Sequence, residues 1–493
     1  MHILKIGRFI LFAAIFLVFI SACSSSREST GGLSPSIASV LSSQVNAGDI
    51  DDNARWDIYL NYRDGFLESY GSSVHNVDVS GRRVITVTDA DGLPVEGAAV
   101  LVFAGETLVS ETQTYADGKT LFFPNTRPES ANVQSFRVVV QKNDAAVQFT
   151  LNSESQAAST VVLKTAAAVK QNTPLDVMFL LDATGSMSDE IAQLQNNILR
   201  ISAQVGKLTD ESNIRYGLVT YRDRGDDYIT HIYDFTPDVS AFQANLNTVS
   251  AGGGGDIPES LNEGLHNAVQ DVQWRGADTV KLIFLVSDAA PHLDYANDYD
   301  YTQEMAIAAA KGIKIHPIAS SGLEADGEFI FRQIAQYTMG HFLFLTYQQG
   351  ATSGAAGDTR TDLHVGDPIN PQTQQGDYTV EQLDDLVLQL IKNEMAALTI
   401  PVASQPNVTA KTVPPVPSMA APLPQIIQPN GVRMDLPAPI PVTAPALNMN
   451  LLFVLAIVVI IVLSMVVGYL LSTRQPIYKE KRKNEELGIE IDA

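Results

Sequence analysis

The chain is almost without cysteine, since Cys23 is the only one among 493 residues. A single cysteine cannot form a disulfide within the chain, and it cannot build a cluster of thiolate metal ligands. A metal site in this protein must therefore use other side chains.

Basic residues are also scarce, with 32 lysines and arginines against 55 aspartates and glutamates and a formal net charge of −23. Such a surface repels nucleic acid and attracts cations, so we expect no nucleic-acid partner. The chain also lacks a Gly-x-Ser-x-Gly nucleophile elbow and a His-Glu-x-x-His metalloprotease motif. Because these signatures of common hydrolases are missing, we expect no enzymatic activity.

The N-terminus has the pattern of a targeting segment. Lys5 and Arg8 precede the apolar stretch 9–20, and small residues follow it. This is typical of a secretory signal peptide, which we place at residues 1–22. The sequence Ile-Ser-Ala-Cys at 20–23 resembles a bacterial lipobox, and the resemblance implies that Cys23 is lipidated. The alternative is an ordinary signal peptide with an incidental cysteine.

The C-terminal region contains a second candidate membrane anchor. Residues 451–471 are uncharged and almost wholly apolar, which is long enough to cross a hydrocarbon core of roughly 30 Å. Several basic residues follow in the tail 472–493, which by the positive-inside rule is cytoplasmic. We therefore expect a single-pass protein of the cell membrane whose body lies outside the cytoplasm and carries a lipid at its other end.

Between these anchors the composition divides the body into four parts. Residues 23–48 are rich in serine, glycine and alanine and are expected to form a flexible tether. Residues 49–165 combine an aromatic-rich segment, expected to pack on a folded neighbour, with short alternating strands between turn signals. These strands predict a β-sandwich that resembles immunoglobulin-like or transthyretin-like modules. Residues 399–449 are rich in proline and predict an extended linker.

Residues 174–398 alternate strand and helix patterns, which predicts a mostly parallel, doubly wound α/β sheet with helices on both faces. Residues 215–221 and 229–235 predict a hairpin that adds one antiparallel edge strand, and its charged turn 222–227 is expected to be solvated. Helices are predicted over 258–273, 329–337 and 379–397, and further strands over 313–319 and 341–347.

The first strand of this region ends in a group of oxygen-bearing side chains. An apolar run ends at Asp182, and the hydroxyls of Thr184 and Ser186 follow at alternate positions. A fully buried parallel strand has such a sequence, and oxygen ligands at its carboxyl end suit a hard cation such as Mg²⁺. A second apolar run ends at Asp288. The alternative is that Asp182 and Ser186 only cap a helix and close a turn.

The Asp-x-Thr-x-Ser loop resembles the first loop of a von Willebrand factor A domain with a metal-ion-dependent adhesion site. The resemblance implies that Asp182, Thr184, Ser186 and Asp288 bind Mg²⁺, or another divalent cation such as Mn²⁺ or Ca²⁺. The family's second loop normally supplies a threonine, whereas the matching region here is glycine-rich and contains Asp256. Either Asp256 takes the threonine's place at the metal, or it caps the helix that follows.

The resemblance implies a binding function. We expect a membrane-anchored, cell-surface adhesion protein whose ligand is a protein that offers an acidic residue to the metal. One alternative is an assembly or quality-control factor for a membrane or envelope complex that uses the same site on a subunit of its own cell. Another is a structural domain whose metal serves only stability.

Overall fold

The computed structural model describes residues 45–153, 157–164, 173–206, 213–255, 257–276, 278–346, 362–402, 408–417, 423–427 and 433–435. The predicted signal peptide, Cys23, Asp256, the predicted membrane helix 451–471 and the tail 472–493 lie outside these ranges. Within them, every helix is too short or too polar to cross a bilayer.

Strands and helices alternate along most of the described chain. The strands are β1 Asn46–Ile50, β2 Arg83–Thr88, β3 Ala99–Ala104, β4 Thr107–Gln113, β5 Lys119–Phe122, β6 Ser135–Lys142, β7 Ala145–Asn152, β8 Ala158–Val162, β9 Leu175–Asp182, β10 Ile214–Tyr221, β11 Thr230–Thr236, β12 Val280–Ser287, β13 Ile313–Ala319, β14 Phe342–Thr346, β15 Thr379–Gln382, β16 Lys411–Thr412, β17 Gln425–Ile427 and β18 Arg433–Asp435. The α-helices are α1 Trp56–Tyr70, α2 Ser188–Val205, α3 Val239–Leu246, α4 Leu261–His266, α5 Tyr301–Lys311, α6 Ala325–Tyr337 and α7 Leu383–Ala397.

The α/β region is built on an eight-stranded sheet in the order β11-β10-β9-β12-β13-β14-β1-β15. Strands β9, β10, β12, β13 and β14 run parallel, and β11 is the antiparallel edge strand that the sequence predicts. In β9, Met178 and Leu180 pack into the core on one face, whereas Val177 and Phe179 pack into the core on the other. Because both faces are covered by helices, residues 177–181 of the strand are all apolar. The predicted α/β fold class is confirmed.

The N-terminal part of this sheet was not predicted. Strand β1 lies between β14 and β15 and is antiparallel to both, so the prediction of a flexible tether reaching residue 48 is wrong for Asn46–Gly48. A side chain at Gly48 would collide with Phe344, since an added Cβ would lie 2.1 Å from the ring. The sheet therefore accepts a glycine-containing segment of low strand propensity because of tertiary packing.

The aromatic-rich segment that follows packs against the α/β domain. Phe66 of α1 stacks on Phe329 of α6, with ring centroids 4.6 Å apart. Asp52, just before α1, forms a buried ion pair with Arg332 of α6. Grouping residues 49–75 with the β-sandwich is therefore a wrong domain boundary, because their contacts complete the α/β fold.

Strands β2 to β8, which lie between α1 and β9 in the chain, form a β-sandwich together with β16. Its two sheets are the three-stranded β5-β2-β8 and the five-stranded β16-β7-β6-β3-β4. Ile85 and Val87 from the first sheet meet Val100, Val138 and other apolar side chains from the second. The predicted β-rich domain before the parallel sheet is thus present, and it is inserted between the first strand and the rest of the α/β domain.

Part of the predicted proline-rich linker is docked on this sandwich. Strand β16 pairs with β7, and the Val408 amide donates to the Thr160 carbonyl at 2.8 Å. Val413 and Val416 pack on the outer face of the five-stranded sheet. The prediction of an extended linker is therefore wrong for residues 408–417, which cover an apolar surface.

Two predicted helices are shorter than expected. The helix predicted over 258–273 begins at Leu261 and ends in a π-helical turn, Asn267–Asp271. The helix predicted over 379–397 begins at Leu383, because the four residues before it form strand β15 beside β1. In both cases periodicity located the buried face and tertiary contacts set the boundary.

Candidate metal centre

The strand order places two polar loops at one edge of the sheet. β9 lies between β10 and β12, with Tyr221 opposite Asp182 on one side and Val286 opposite Leu181 on the other. The chain leaves β9 towards β10 and reaches β12 on the opposite side, so a crevice forms at the carboxyl ends of these strands. Asp182 and Asp288 therefore meet at this crevice.

The first loop is tightly hydrogen-bonded around Asp182, which is fully buried. Its Oδ1 accepts hydrogen bonds from the Thr184 amide at 2.9 Å and the Thr184 hydroxyl at 2.6 Å. Its Oδ2 accepts a hydrogen bond from the Ser287 hydroxyl at 2.8 Å. These donors hold the carboxylate in one orientation but provide no positive charge.

The remaining predicted ligands continue this row of oxygens. The hydroxyl oxygens of Thr184 and Ser186 lie 3.1 Å apart, and the Ser186 hydroxyl donates to Asp288 Oδ1 at 3.1 Å. Thr184 is buried and Ser186 is exposed, so the row leads from the sheet edge to solvent. The structure thus brings Asp182, Thr184, Ser186 and Asp288 together.

The glycine-rich loop lies directly against the first loop. The Gly185 amide donates to the Gly253 carbonyl at 3.1 Å, and a Cβ on Gly185 would lie 2.8 Å from that oxygen. Gly253 and Gly254 both have positive φ, which favours glycine. Four successive glycines therefore permit the close approach of two loop backbones, while Asp256 lies outside the described residues.

The turn between β10 and β11 takes part in the site instead of being a solvated turn, which corrects the sequence prediction. Asp226 Oδ2 accepts hydrogen bonds from the Gly254 amide at 2.8 Å and the Asp223 amide at 3.1 Å. Arg224 pairs with Glu263 and with Asp298. The turn thereby supports the glycine-rich loop through Asp226.

Glu259 is a further acidic residue at this edge, and the sequence reasoning did not identify it. Its side chain is 2% exposed, and its Oε2 has no hydrogen-bond partner. Its Oε1 faces Gly254, on which an added Cβ would lie 2.6 Å from this oxygen and 3.1 Å from Thr184 Cβ. A carboxylate four residues after the glycine run was the available signal.

The carboxyl groups at this edge are difficult to ionise. Burial raises the pKa of Asp182 above its ordinary value. Burial and the charge of Asp182 raise the pKa of Asp288 to about 7. Burial and then the charges of Asp182, Asp223, Asp226 and Asp288 raise the pKa of Glu259 to about 9. No lysine, arginine or histidine in the described ranges forms an ion pair with Asp182, Asp288 or Glu259.

This arrangement fits a hard divalent cation. A cation would stabilise the ionised carboxylates, and carboxylate and hydroxyl oxygens are ligands that Mg²⁺ and Ca²⁺ accept. No three carboxylate, imidazole or thiolate groups of the described residues form a metal cluster by themselves. In a cation site here, the hydroxyls of Thr184 and Ser186, together with bound water, would complete the coordination shell.

Comparison with known proteins gives partial matches. The chain is similar to the alpha-protein kinase vwkA of Dictyostelium discoideum, with 25% identity over 128 residues. The match covers 25% of this chain, and the chain spans only 20% of that protein.

Solved structures of proximal thread matrix protein 1 from the mussel byssus are also similar. One has 16% identity and a TM-score of 0.28 and covers 36% of this chain and 42% of that one. A second, described as having a zinc-occupied MIDAS motif, has 14% identity and a TM-score of 0.26 and covers 34% of this chain and 50% of that one. Residues 176–346 match the family model of the von Willebrand factor A domain, the family that the Asp-x-Thr-x-Ser loop resembles.

Proposed function

We propose that this chain binds a protein partner through a divalent cation held by Asp182, Thr184, Ser186 and Asp288. The observation that carries the proposal is the hydrogen-bonded row of two carboxylates and two hydroxyls at the crevice of the sheet. The match of residues 176–346 to the von Willebrand factor A domain supports it. Binding, without catalysis, is the proposed activity.

The chemistry of the site favours an acidic group on the partner. A cation such as Mg²⁺ supplies an electrophilic coordination position that a carboxylate oxygen can fill. Thr184 and Ser186 offer neutral hydroxyls, which leave part of the cation's charge available to a ligand. Because Ser186 is exposed, a partner's side chain reaches the site from the solvent side. Mn²⁺ or Ca²⁺ would use the same oxygen ligands.

We further propose that the binding domain is held outside the cytoplasm at the cell membrane. The signal-like residues 1–22, the lipobox-like cysteine at position 23 and the apolar segment 451–471 support this location. The partner is then either a protein of a foreign surface or a subunit of an envelope complex of the same cell.

The test is capture of cross-linked partners by the full-length protein in Mg²⁺ and in EDTA, with Asp182→Asn as the site variant. Asp294→Asn is a matched control, since Asp294 is an exposed acidic residue near the site. We expect the wild type and the control to capture the same partners in Mg²⁺, and EDTA or Asp182→Asn to abolish capture.

The same experiment separates the two kinds of partner. Envelope proteins of the same cell among the metal-dependent partners would favour an assembly or quality-control role, whereas metal-dependent binding to foreign surfaces would favour adhesion. Partners that are captured equally in EDTA and by Asp182→Asn would contradict the proposed function.

A further inference from the structure

Glu259 is a buried residue whose carboxylate is not fully hydrogen-bonded. Its side chain is 2% exposed, yet Oε2 has no hydrogen-bond partner. Burying a carboxylate without a partner is unfavourable by several kcal/mol, so a buried carboxylate is normally paired or close to a metal ion. No described basic side chain pairs with it.

The backbone around Glu259 is firmly held. Its amide donates to the Ala290 carbonyl at 3.0 Å, and its carbonyl accepts from the His292 amide at 3.0 Å. This bridge ties the residue to the loop that follows Asp288. Two hydrogen bonds to the loop after Asp288 therefore fix the position of the Glu259 backbone.

The side chain is directed towards the glycine-rich loop and the Asp-x-Thr-x-Ser loop. One oxygen, Oε1, lies against Gly254, and Thr184 Cβ borders the same space. A side chain on Gly254 would fill the gap between the Glu259 carboxylate and Thr184. The glycine therefore keeps the carboxylate next to the row of metal-binding oxygens.

We propose that Glu259 is a third carboxylate of the cation site and contacts the ion through a water molecule bound to it. Contact through water agrees with the finding that the described acidic groups do not form a direct metal cluster. Mg²⁺ binds readily in this way, because it gives up its water ligands reluctantly. Glu259, which lies between the glycine-rich loop and helix α4, then supplies the interaction for which the family ordinarily uses a threonine.

This inference rests on the proposed function and has its own consequence for the partner. With Asp182 and Asp288, Glu259 brings three carboxylates to one divalent cation. A neutral threonine would leave only two. The additional negative charge strengthens retention of the cation and weakens its attraction for an acidic ligand. Removing this charge should therefore have opposite effects on the affinities for metal and for partner.

The test uses Glu259→Gln in the full-length protein, because glutamine keeps the shape and removes the charge. We expect the Mg²⁺ dissociation constant, measured by calorimetry at pH 8, to rise about tenfold or more, by analogy with other groups that contact a metal indirectly. Asp294→Asn, which removes an exposed charge nearby, should bind Mg²⁺ as the wild type does.

A second measurement separates a role at the metal from a role in folding. In EDTA, Glu259→Gln should melt at or above the temperature of the wild type, because the variant no longer has a buried carboxyl group whose ionisation is unfavourable. In Mg²⁺, it should melt below the wild type. A lower melting temperature in EDTA would overturn the proposal in favour of a purely structural role.

The outcomes also separate this inference from the proposed function. Mg²⁺ affinity that is unchanged in Glu259→Gln but lost in Asp182→Asn would overturn the role of Glu259 and leave the proposed function intact. A wild type that binds no divalent cation would overturn both.

Discussion

Strand β9 carries a buried aspartate near each end, and of the two only Asp176 is paired with basic side chains of the described residues. Asp176, near its start, accepts hydrogen bonds from Arg215 at 2.9 and 2.7 Å and from the Arg275 amide and side chain at 3.0 and 2.8 Å. Asp182, at its end, accepts hydrogen bonds only from neutral groups, the nearest of them in Thr184. Both aspartates are fully buried.

The difference separates an aspartate that is paired within the chain from one, on the same strand, that we propose binds a cation. At the start of β9 the chain supplies the positive charges itself, so Asp176 is a permanent part of the fold. At the end of β9 the described residues supply oriented dipoles but no cation. Burial alone therefore does not show what a carboxylate does, and the source of the opposing charge is the more informative observation.

The largest effect on stability is expected from replacing Asp176, the aspartate that is paired with two arginines. Asp176→Ala leaves the Arg215 and Arg275 side chains, both mostly buried, without their partner. We expect a loss of about 3 kcal/mol in the free energy of unfolding, because removing one member of a buried ion pair is strongly unfavourable. Denaturant unfolding in EDTA and in Mg²⁺ should give the same loss. A loss below about 1 kcal/mol would contradict the structural role.

A smaller effect on stability, which depends on the metal, is expected from replacing Asp182 at the carboxyl end of β9. Asp182→Asn removes a charge that burial already disfavours, so stability in EDTA should change little or rise. Wild-type protein should gain about 2.7 kcal/mol at a cation concentration a hundred times the dissociation constant, and the variant should gain none. The measurement is denaturant unfolding with and without Mg²⁺. An equal gain in both proteins would show that Asp182 does not hold the ion.

The smallest expected effect is a pH dependence of stability and of cation affinity, which arises from Asp288 and Glu259 near the carboxyl end of β9. The pKa of Asp288 is raised to about 7 and that of Glu259 to about 9, so the metal-free folded state keeps protons that the unfolded chain has lost. Metal-free stability should therefore fall as pH rises from about 4 towards 9. Cation affinity should rise over pH 6–8, by up to about tenfold per unit for each proton released.

Calorimetry in buffers of different ionisation enthalpy measures this proton release directly. Replacing Asp288 with asparagine should reduce the number of protons released at pH 7. Cation affinity that is independent of pH in the wild type would contradict the raised pKa values.

Much of this site could be predicted because its signal is local. Asp182, Thr184, Ser186 and Asp288 follow apolar strands, and parallel strands bring their carboxyl ends to one edge. Glu259 has no such local pattern, since one glutamate before a helix is common. Its significance comes from contacts with Gly254 and with the loop after Asp288, which only the fold brings together.

The central strands of the α/β sheet could also be predicted from local sequence patterns. Strands β1 and β16 could not. Residues 177–181 of β9 are all apolar, and the strand was identified from that run. Strand β1 contains a glycine and an aspartate, and β16 lies in a proline-rich segment. Both form because a sheet edge offers unpaired backbone groups, which is a property of the partner strand and not of the segment itself.

The position of β1 has a consequence for the order of folding during synthesis. β1 pairs with residues up to Gln382, and the sandwich strands β2 to β8 are encoded between β1 and β9. A ribosome that makes this chain releases the sandwich strands long before the partners of β1. We therefore expect the sandwich to acquire structure first. β1 and the aromatic face of α1 remain without their packing partners until the last strands of the α/β sheet have been synthesised. A chaperone would have to shield those aromatic side chains during this interval.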